Sequence, residues 1–312
     1  MQMSIMLLEQ ILAMLLMALA GYALARFGIA NSQNFRIISQ LLIYVIYPAT
    51  IVNSFCTKYE PAKLEGLLVT ALAALLVHIV YLAVTALLCR TKRGLIPEEQ
   101  ASVIYSNAGN LVLPLVAGTL GQEYVFYASS YIMVQTVFIW THGYHIMGSR
   151  QKTSLRKMLL NPCILSIAVG LLIFLSRVEL HPTLGSALSG MAACIGPLSM
   201  LTIGVLLAET DLKAALSELR LYRIVFLRLI LYPLLAAAVM LLIAFFWQNP
   251  DEMNILTVSL LGTIGPSASL VVQFSQLMDS PEKTYASSIN AVTTILCVVT
   301  IPLLCGLFQA IL

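Results

Sequence analysis

The chain has 312 residues, of which 60% are hydrophobic and 10% charged, with a mean hydropathy of +0.92 and a formal net charge of +3. Soluble domains carry about 25% charged residues, so the composition excludes a water-soluble globular protein and points to an integral membrane protein. The slight positive charge implies no nucleic-acid partner; in a membrane chain it reports how loops are shared between the two faces of the bilayer.

Ten apolar stretches of roughly spanning length follow in order: Ile5 to Ala25, Phe35 to Phe55, Leu64 to Cys89, Gln100 to Leu120, Tyr124 to Met147, Leu159 to Ser176, Leu184 to Leu207, Leu221 to Trp247, Met253 to Leu277 and Thr284 to Leu312. None alternates as a strand does, so an all-α integral membrane bundle of ten transmembrane helices is predicted over a barrel. Ala18-Leu19-Ala20 resembles a leader cleavage site, but no Lys or Arg precedes it and Arg26 follows, so the first stretch reads as a retained helix with its N-terminus outside. With that orientation Arg26, Arg36, Arg90, Lys92, Arg93, Arg150, Lys152, Arg156, Lys157, Lys213, Arg220, Arg223, Arg228 and Lys283 lie inside, 14 of the 17 basic residues, leaving Lys58, Lys63 and Arg177 outside. The positive-inside rule then predicts a multi-pass protein of the cell (plasma or inner) membrane with both termini outside.

The fourth stretch contains Ser106-Asn107-Ala108-Gly109-Asn110-Leu111-Val112-Leu113-Pro114. Pro114 lacks an N–H, and Gly109 and Asn110 tolerate non-helical backbone, so a break is predicted there. In lipid a broken helix survives only where protein or a water-filled cavity satisfies the freed backbone, which marks a binding site at membrane depth. The ninth stretch has a similar run, Gly262-Thr263-Ile264-Gly265-Pro266-Ser267-Ala268-Ser269.

Two further echoes connect the halves. Tyr127-Ala128-Ser129-Ser130 recurs as Tyr285-Ala286-Ser287-Ser288, 285 − 127 = 158 residues later, and Pro48 is echoed by Pro197, 197 − 48 = 149 residues later. Five helices per half is an odd number, so the second half enters the membrane from the opposite side. The expected organisation is two inverted five-helix repeats, 1–147 and 159–312, joined by a cytoplasmic linker, 148–158, with broken helices 4 and 9 crossing.

Asn107 to Pro114, Tyr44-Val45-Ile46-Tyr47-Pro48, Asn161-Pro162 and Ile203-Gly204-Val205-Leu206-Leu207 together resemble the auxin efflux carrier family over essentially the whole chain. The resemblance implies a bacterial member with a five-plus-five fold, more distantly similar to bile-acid symporters and sodium/proton antiporters. It implies transport of small organic anions, mono- or dicarboxylates, adds Asn161 to the substrate-binding candidates, and suggests a homodimer. Plant auxin carriers open the sixth helix with Asn-Pro-Asn-Thr-Tyr, where this chain has Asn161-Pro162-Cys163-Ile164-Leu165, which argues against auxin itself.

No Asp, Glu, Lys, Arg or His falls between Gln100 and Leu120 or between Asn254 and Leu277. A desolvated cation would need a carboxylate there, so an uncharged crossover is expected, holding an anion by half-helix N-termini and neutral donors. The substrate-binding candidates are Asn107, Asn110, Ser267 and Ser269, with Gly109 and Gly265 letting ligand approach the backbone and Pro114 and Pro266 as helix breaks. Each also has a packing role open to it, and Ser129, Ser130, Ser287, Ser288, Pro48 and Pro197 suit interhelical packing at least as well. His78, in mid-helix, could relay a proton or simply hydrogen-bond within the bundle; His142 and His145 are expected to snorkel, and Glu9, Glu123 and Glu209 fall near helix ends.

Cys56, Cys89, Cys163, Cys194, Cys297 and Cys305 show no metal-type spacing and read as small hydrophobes. No cofactor or metal is expected. The rivals to a carrier are an anion channel using the same crossover and an intramembrane enzyme, for which no His-x-x-x-His pair, Gly-x-Ser-x-Gly elbow or carboxylate pair is present in the membrane stretches.

Overall fold

The computed structural model describes residues 2–31, 33–91, 94–148, 159–249 and 251–311. Its helices follow the apolar stretches in order: α1 (Gln2–Arg26), α2 (Arg36–Phe55), α3 (Pro61–Cys89), α4a (Pro97–Ile104), α4b (Ala108–Thr119), α5 (125–146), α6 (Pro162–Ser176), α7 (Pro182–Glu209), α8 (Leu219–Phe246), α9a (Glu252–Ile264), α9b (Ser269–Leu277) and α10 (Lys283–Ile311). Among the described residues, α1, α2, α3, α7, α8 and α10 are each long and apolar enough to cross a bilayer. Proline sets the start of α3, α4a, α6 and α7, where Pro61, Pro97, Pro162 and Pro182 occupy the first helical position and forfeit an N–H that would have no helical partner anyway. Lys92, Arg93, Arg150, Lys152, Arg156, Lys157 and most of the expected 148–158 linker lie outside the described residues.

The helices form two groups. In one, α1 lies along α7 and α6 along α2. Helix–helix approach in lipid is limited by side-chain bulk, and glycine removes the limit: a Cβ on Gly204 of α7 would sit 1.9 Å from the Ala18 carbonyl oxygen of α1, and one on Gly21 would sit 2.2 Å from that of Leu201. In the other group, α3 packs on α5, α8 on α9a and α3, and α10 on α9a, α9b and α4a. Residues 255–264 of α9a are buried throughout, so the broken helices lie at the centre of this second group.

Three helices widen into a π-turn: Leu42–Ile46 in α2, Ala108–Val112 in α4b and Leu227–Leu231 in α8. Each is followed two residues later by a proline, Pro48, Pro114 or Pro233. A proline cannot donate to the carbonyl four residues back and crowds it, and a widened turn relieves both problems. A fourth π-turn, Ile139–Gly143 in α5, has no following proline.

Candidate functional site

The two chain breaks cross and pair. Between α4a and α4b the chain is extended, and so is the chain between α9a and α9b; Ser106 and Ser267 form an antiparallel β-bridge, the single one among the described residues. The Asn107 N–H donates to the Pro266 carbonyl at 2.8 Å and the Ala268 N–H to the Tyr105 carbonyl at 3.0 Å, so each break satisfies backbone groups of the other. The break therefore falls at Tyr105–Asn107 and not at Pro114, correcting the expectation for that proline. Pro114 lies inside α4b, where the preceding π-turn absorbs its missing bond. Pro266 does lie in the extended segment.

Among the candidate donors, three converge. Asn107 Nδ2 donates to Ser269 Oγ at 3.0 Å and Asn110 Nδ2 to the same oxygen at 3.4 Å, while the Asn110 amide oxygen accepts from the Tyr47 hydroxyl of α2. Ser269 Oγ receives two amides and donates to no described residue, so its own proton is free. Asn107 and Asn110 precede or open α4b, and Ser269 opens α9b, so all three cluster at the N-terminal, electropositive ends of the second half-helices.

The other candidates are placed differently. Ser267 is fully buried, its N–H bonded to Thr293 Oγ1 at 3.2 Å and its carbonyl to Asn290 Nδ2 at 2.6 Å, while its hydroxyl has no partner among the described residues. Asn161 caps α6, accepting from the Cys163 N–H at 2.9 Å, and makes no bond to the crossover. A Cβ on Gly109 would meet the Tyr47 ring at 3.5 Å and one on Gly265 the Val112 methyl at 3.3 Å, so both glycines face protein.

The crossover is not uncharged, and this overturns the main electrostatic expectation. Arg228, in the π-turn of α8, is completely buried and reaches the crossover from behind. Its guanidinium donates to the carbonyls of Gly265 (Nε 2.9 Å, Nη2 2.6 Å), Thr263 (2.7 Å) and Val103 (3.0 Å). Those are last-turn or break carbonyls of α9a and α4a, which a break leaves without helical partners. Hydropathy alone puts Arg228 near a membrane edge; the signal that could have found it is Pro233, which marks a widened turn five residues on.

Gln135 of α5 is a second residue that pattern reasoning missed. Its amide accepts from the Ser106 N–H at 3.0 Å and donates to the Ser106 carbonyl at 2.9 Å, clamping one break as Thr293 and Asn290 clamp the other. His142 does not snorkel: its Nδ1 is 2.9 Å from the Tyr105 hydroxyl and its ring is half-buried, whereas His145 is exposed. His78 is fully buried, with Nδ1 2.7 Å from the Ala74 carbonyl and its ring stacked on Phe138. Ser129 and Ser130 bond back to their own helix, at the Phe126 and Tyr127 carbonyls.

A cavity of about 1010 Å³ descends from the connection between α7 and α8 and the start of α10 to Ser269 and Asn290. Its rim carries Glu209, Asp211, Glu218 and Glu282 against Arg220 and Lys283, and Arg220 is paired with Glu282 at 2.8 Å and Glu218 at 3.1 Å. Val272, Gln273 and Gln276 of α9b form part of its wall. By contrast α4b is covered by α1 and α7. The arrangement can therefore admit a small polar solute from one side to a floor made of hydroxyl and amide groups. Among the described residues no cluster of His, Cys, Asp and Glu could hold a metal ion.

A family model described as membrane transport protein matches residues 6–155 and 150–305, nearly the whole chain. No curated protein matches it.

Proposed function

The chain belongs to the membrane transport protein family, and from that premise we propose that it is a secondary carrier of small organic anions, mono- or dicarboxylates, working by alternating access at the crossing of α4 and α9. The observation that carries the proposal is the cavity that ends on Ser269, whose hydroxyl proton is free and whose oxygen is held by Asn107 and Asn110. A carboxylate needs donors, and here one hydroxyl, two amides and two half-helix N-termini point to one place.

Ten spans arranged as inverted repeats are part of the same proposal, and internal pairings support them. Exchanging the first five helices with the last five turns the α1–α7 pair into the α6–α2 pair and the α3–α5 pair into the α8–α10 pair, and all four pairs pack. The offset of 158 from Tyr127 to Tyr285 also carries Gln135 to Thr293 (293 − 135 = 158), the two residues that hold the backbone of Ser106 and Ser267. At the outer ends, Tyr285 donates to Glu99 at the start of α4a, and Tyr124, at the start of α5, donates to Asp251 at the start of α9a. The exception to the symmetry is informative. α4b is covered by α1 and α7, whereas α9b, its counterpart, borders the cavity. Exchanging the roles of the two halves would cover α9b and uncover α4b, which is the opposite-facing state that alternating access requires.

Purified protein in liposomes loaded with unlabelled carboxylate should accumulate labelled carboxylate by counterflow. Ser269→Ala should lose that exchange while inserting normally. A flux that does not saturate and shows no counterflow would favour a channel instead.

A further inference from the structure

Arg228 is a permanent charge at membrane depth that makes no ion pair among the described residues. Its neighbours with titratable groups are Tyr81, Tyr131, Tyr232 and Cys297, with His78 on the adjoining face of α3; no carboxylate faces it among the described residues. A buried, unpaired guanidinium is costly, and chains that keep one in a membrane generally use it. Filling the orphaned carbonyls alone does not require a full charge, because neutral amides already do that duty for Ser106 and Ser267 from Gln135 and Asn290.

The charge has a clear electrostatic partner. α4a and α9a both end at the crossover, and each helix C-terminus carries the equivalent of about −0.5 elementary charge. Two such ends total about −1, and the Arg228 guanidinium, bonded to carbonyls of both, cancels it. What remains uncancelled is the positive potential of the N-terminal ends of α4b and α9b, where Asn107, Asn110 and Ser269 meet. The cavity rim, with four carboxylates against two cations, supplies no attraction of its own.

We propose that Arg228 is the positioning residue that makes the crossover selective for anions: it neutralises the two inward C-terminal helix ends and aligns the Gly265–Pro266 segment on which the Asn107 backbone hangs. The proposal rests on the carboxylate reading above. Arg228 bonds the Gly265 carbonyl, and the four residues from Gly265 to Ser269 span at most about 14 Å. At about 14 Å and an effective dielectric of about 20, removing the charge weakens anion binding roughly sevenfold, and by more at any closer approach.

The test uses the full chain in lipid nanodiscs and measures binding of three pairs of probes, acetate and acetamide, malonate and malonamide, succinate and succinamide, to wild type, Arg228→Lys and Arg228→Gln. Wild type should prefer the acid of at least one pair. Arg228→Gln should lose that preference by the factor above with amide binding unchanged, and Arg228→Lys should retain it at neutral pH. If Arg228→Gln does not fold, the pH profile of Arg228→Lys decides: its acid preference should fall as the lysine deprotonates, while wild type, which has the same tyrosines, Cys297 and His78, stays flat by comparison. A folded Arg228→Gln with undiminished acid preference, or parallel profiles for Arg228→Lys and wild type, would overturn the proposal and leave Arg228 a backbone pin. Wild type that binds acid and amide alike would overturn the carboxylate reading itself, and this proposal with it.

Discussion

At the residue scale the crossover separates groups that face the cavity from groups that hold the backbone. Ser269 lines the cavity with a free hydroxyl proton, so Ser269→Ala should cost a hydrogen bond to a charged ligand, about 1.5 to 3 kcal/mol or roughly ten- to a hundredfold in affinity, together with a lower melting temperature because the buried Asn107 amide loses its acceptor. Asn107 is 5% exposed and acts largely through Ser269, so Asn107→Ala should cost less, about 0.5 to 1.5 kcal/mol. Isothermal titration beside a thermal melt checks both, and an Asn107→Ala loss larger than that of Ser269→Ala would reverse their assigned roles. Gln135 belongs to the second kind. Gln135→Met leaves the Ser106 N–H and carbonyl buried and unpaired, and should lower stability by about 2 to 4 kcal/mol, seen as an earlier melt whether or not substrate is present. The Asn residues and Ser269 were legible in the sequence because polar residues beside Gly and Pro stand out in an apolar stretch. Gln135 and Tyr47 were not legible as site residues, since a lone polar residue on a helix has no local pattern that says what it faces.

At the element scale, prolines and glycines decide where side chains point. Asn110 and Arg228 lie inside π-turns that precede Pro114 and Pro233, and Tyr47 follows the one that precedes Pro48. Such a turn adds about one residue to the helical register and so rotates what precedes it by about 100° relative to a regular helix. Pro233→Ala restores an N–H that can bond the Leu229 carbonyl, and as the turn tightens, Arg228 should swing away from Gly265. Transport in liposomes should then fall sharply, although helix propensity rises; full transport by this variant would show that the turn does not depend on its proline. The α1–α7 contact makes a second prediction. Gly204→Ala puts a Cβ into the Ala18 carbonyl, an atom of backbone that cannot rotate aside, so the helices must separate, at a cost of about 1 to 3 kcal/mol. A detergent melt unchanged from wild type would show that α1 gives way freely.

At the scale of the whole molecule, the prediction concerns sidedness. The cavity opens beside Arg220 and Lys283, on the side that the positive-inside rule predicts to be cytoplasmic, so cysteine introduced at Gln273 should react with membrane-impermeant reagent from that side alone. Labelling of Gln273→Cys from the outer face in the resting protein would invert the topology. If the carboxylate moves without a compensating ion, an inside-negative potential favours export by about 2.3 kcal/mol per charge per 100 mV. A potassium-diffusion potential imposed on liposomes should then change the rate, and indifference to it would indicate exchange or coupled transport.

Class, the positions of the long apolar helices and the ninth-helix break were determined by the sequence alone, because each depends on local quantities. Apolar length governs crossing of a bilayer, and the Gly265–Pro266 pair governs whether a helix can continue. Pro114 misled about the fourth-helix break because a proline can also be absorbed by a widened turn, and only the backbone pairing of Ser106 with Ser267 decides between the two outcomes. The charge of the crossover was likewise beyond sequence reasoning. The fourth and ninth stretches contain no Asp, Glu, Lys, Arg or His, but Arg228 comes to them from another helix, 125 residues from Val103 and 37 from Gly265. Hydropathy averages along one segment and cannot report which segment lies behind it. Only the tertiary structure, by packing α8 against the ends of two broken helices, decides that an apparently neutral site has a cation at its back.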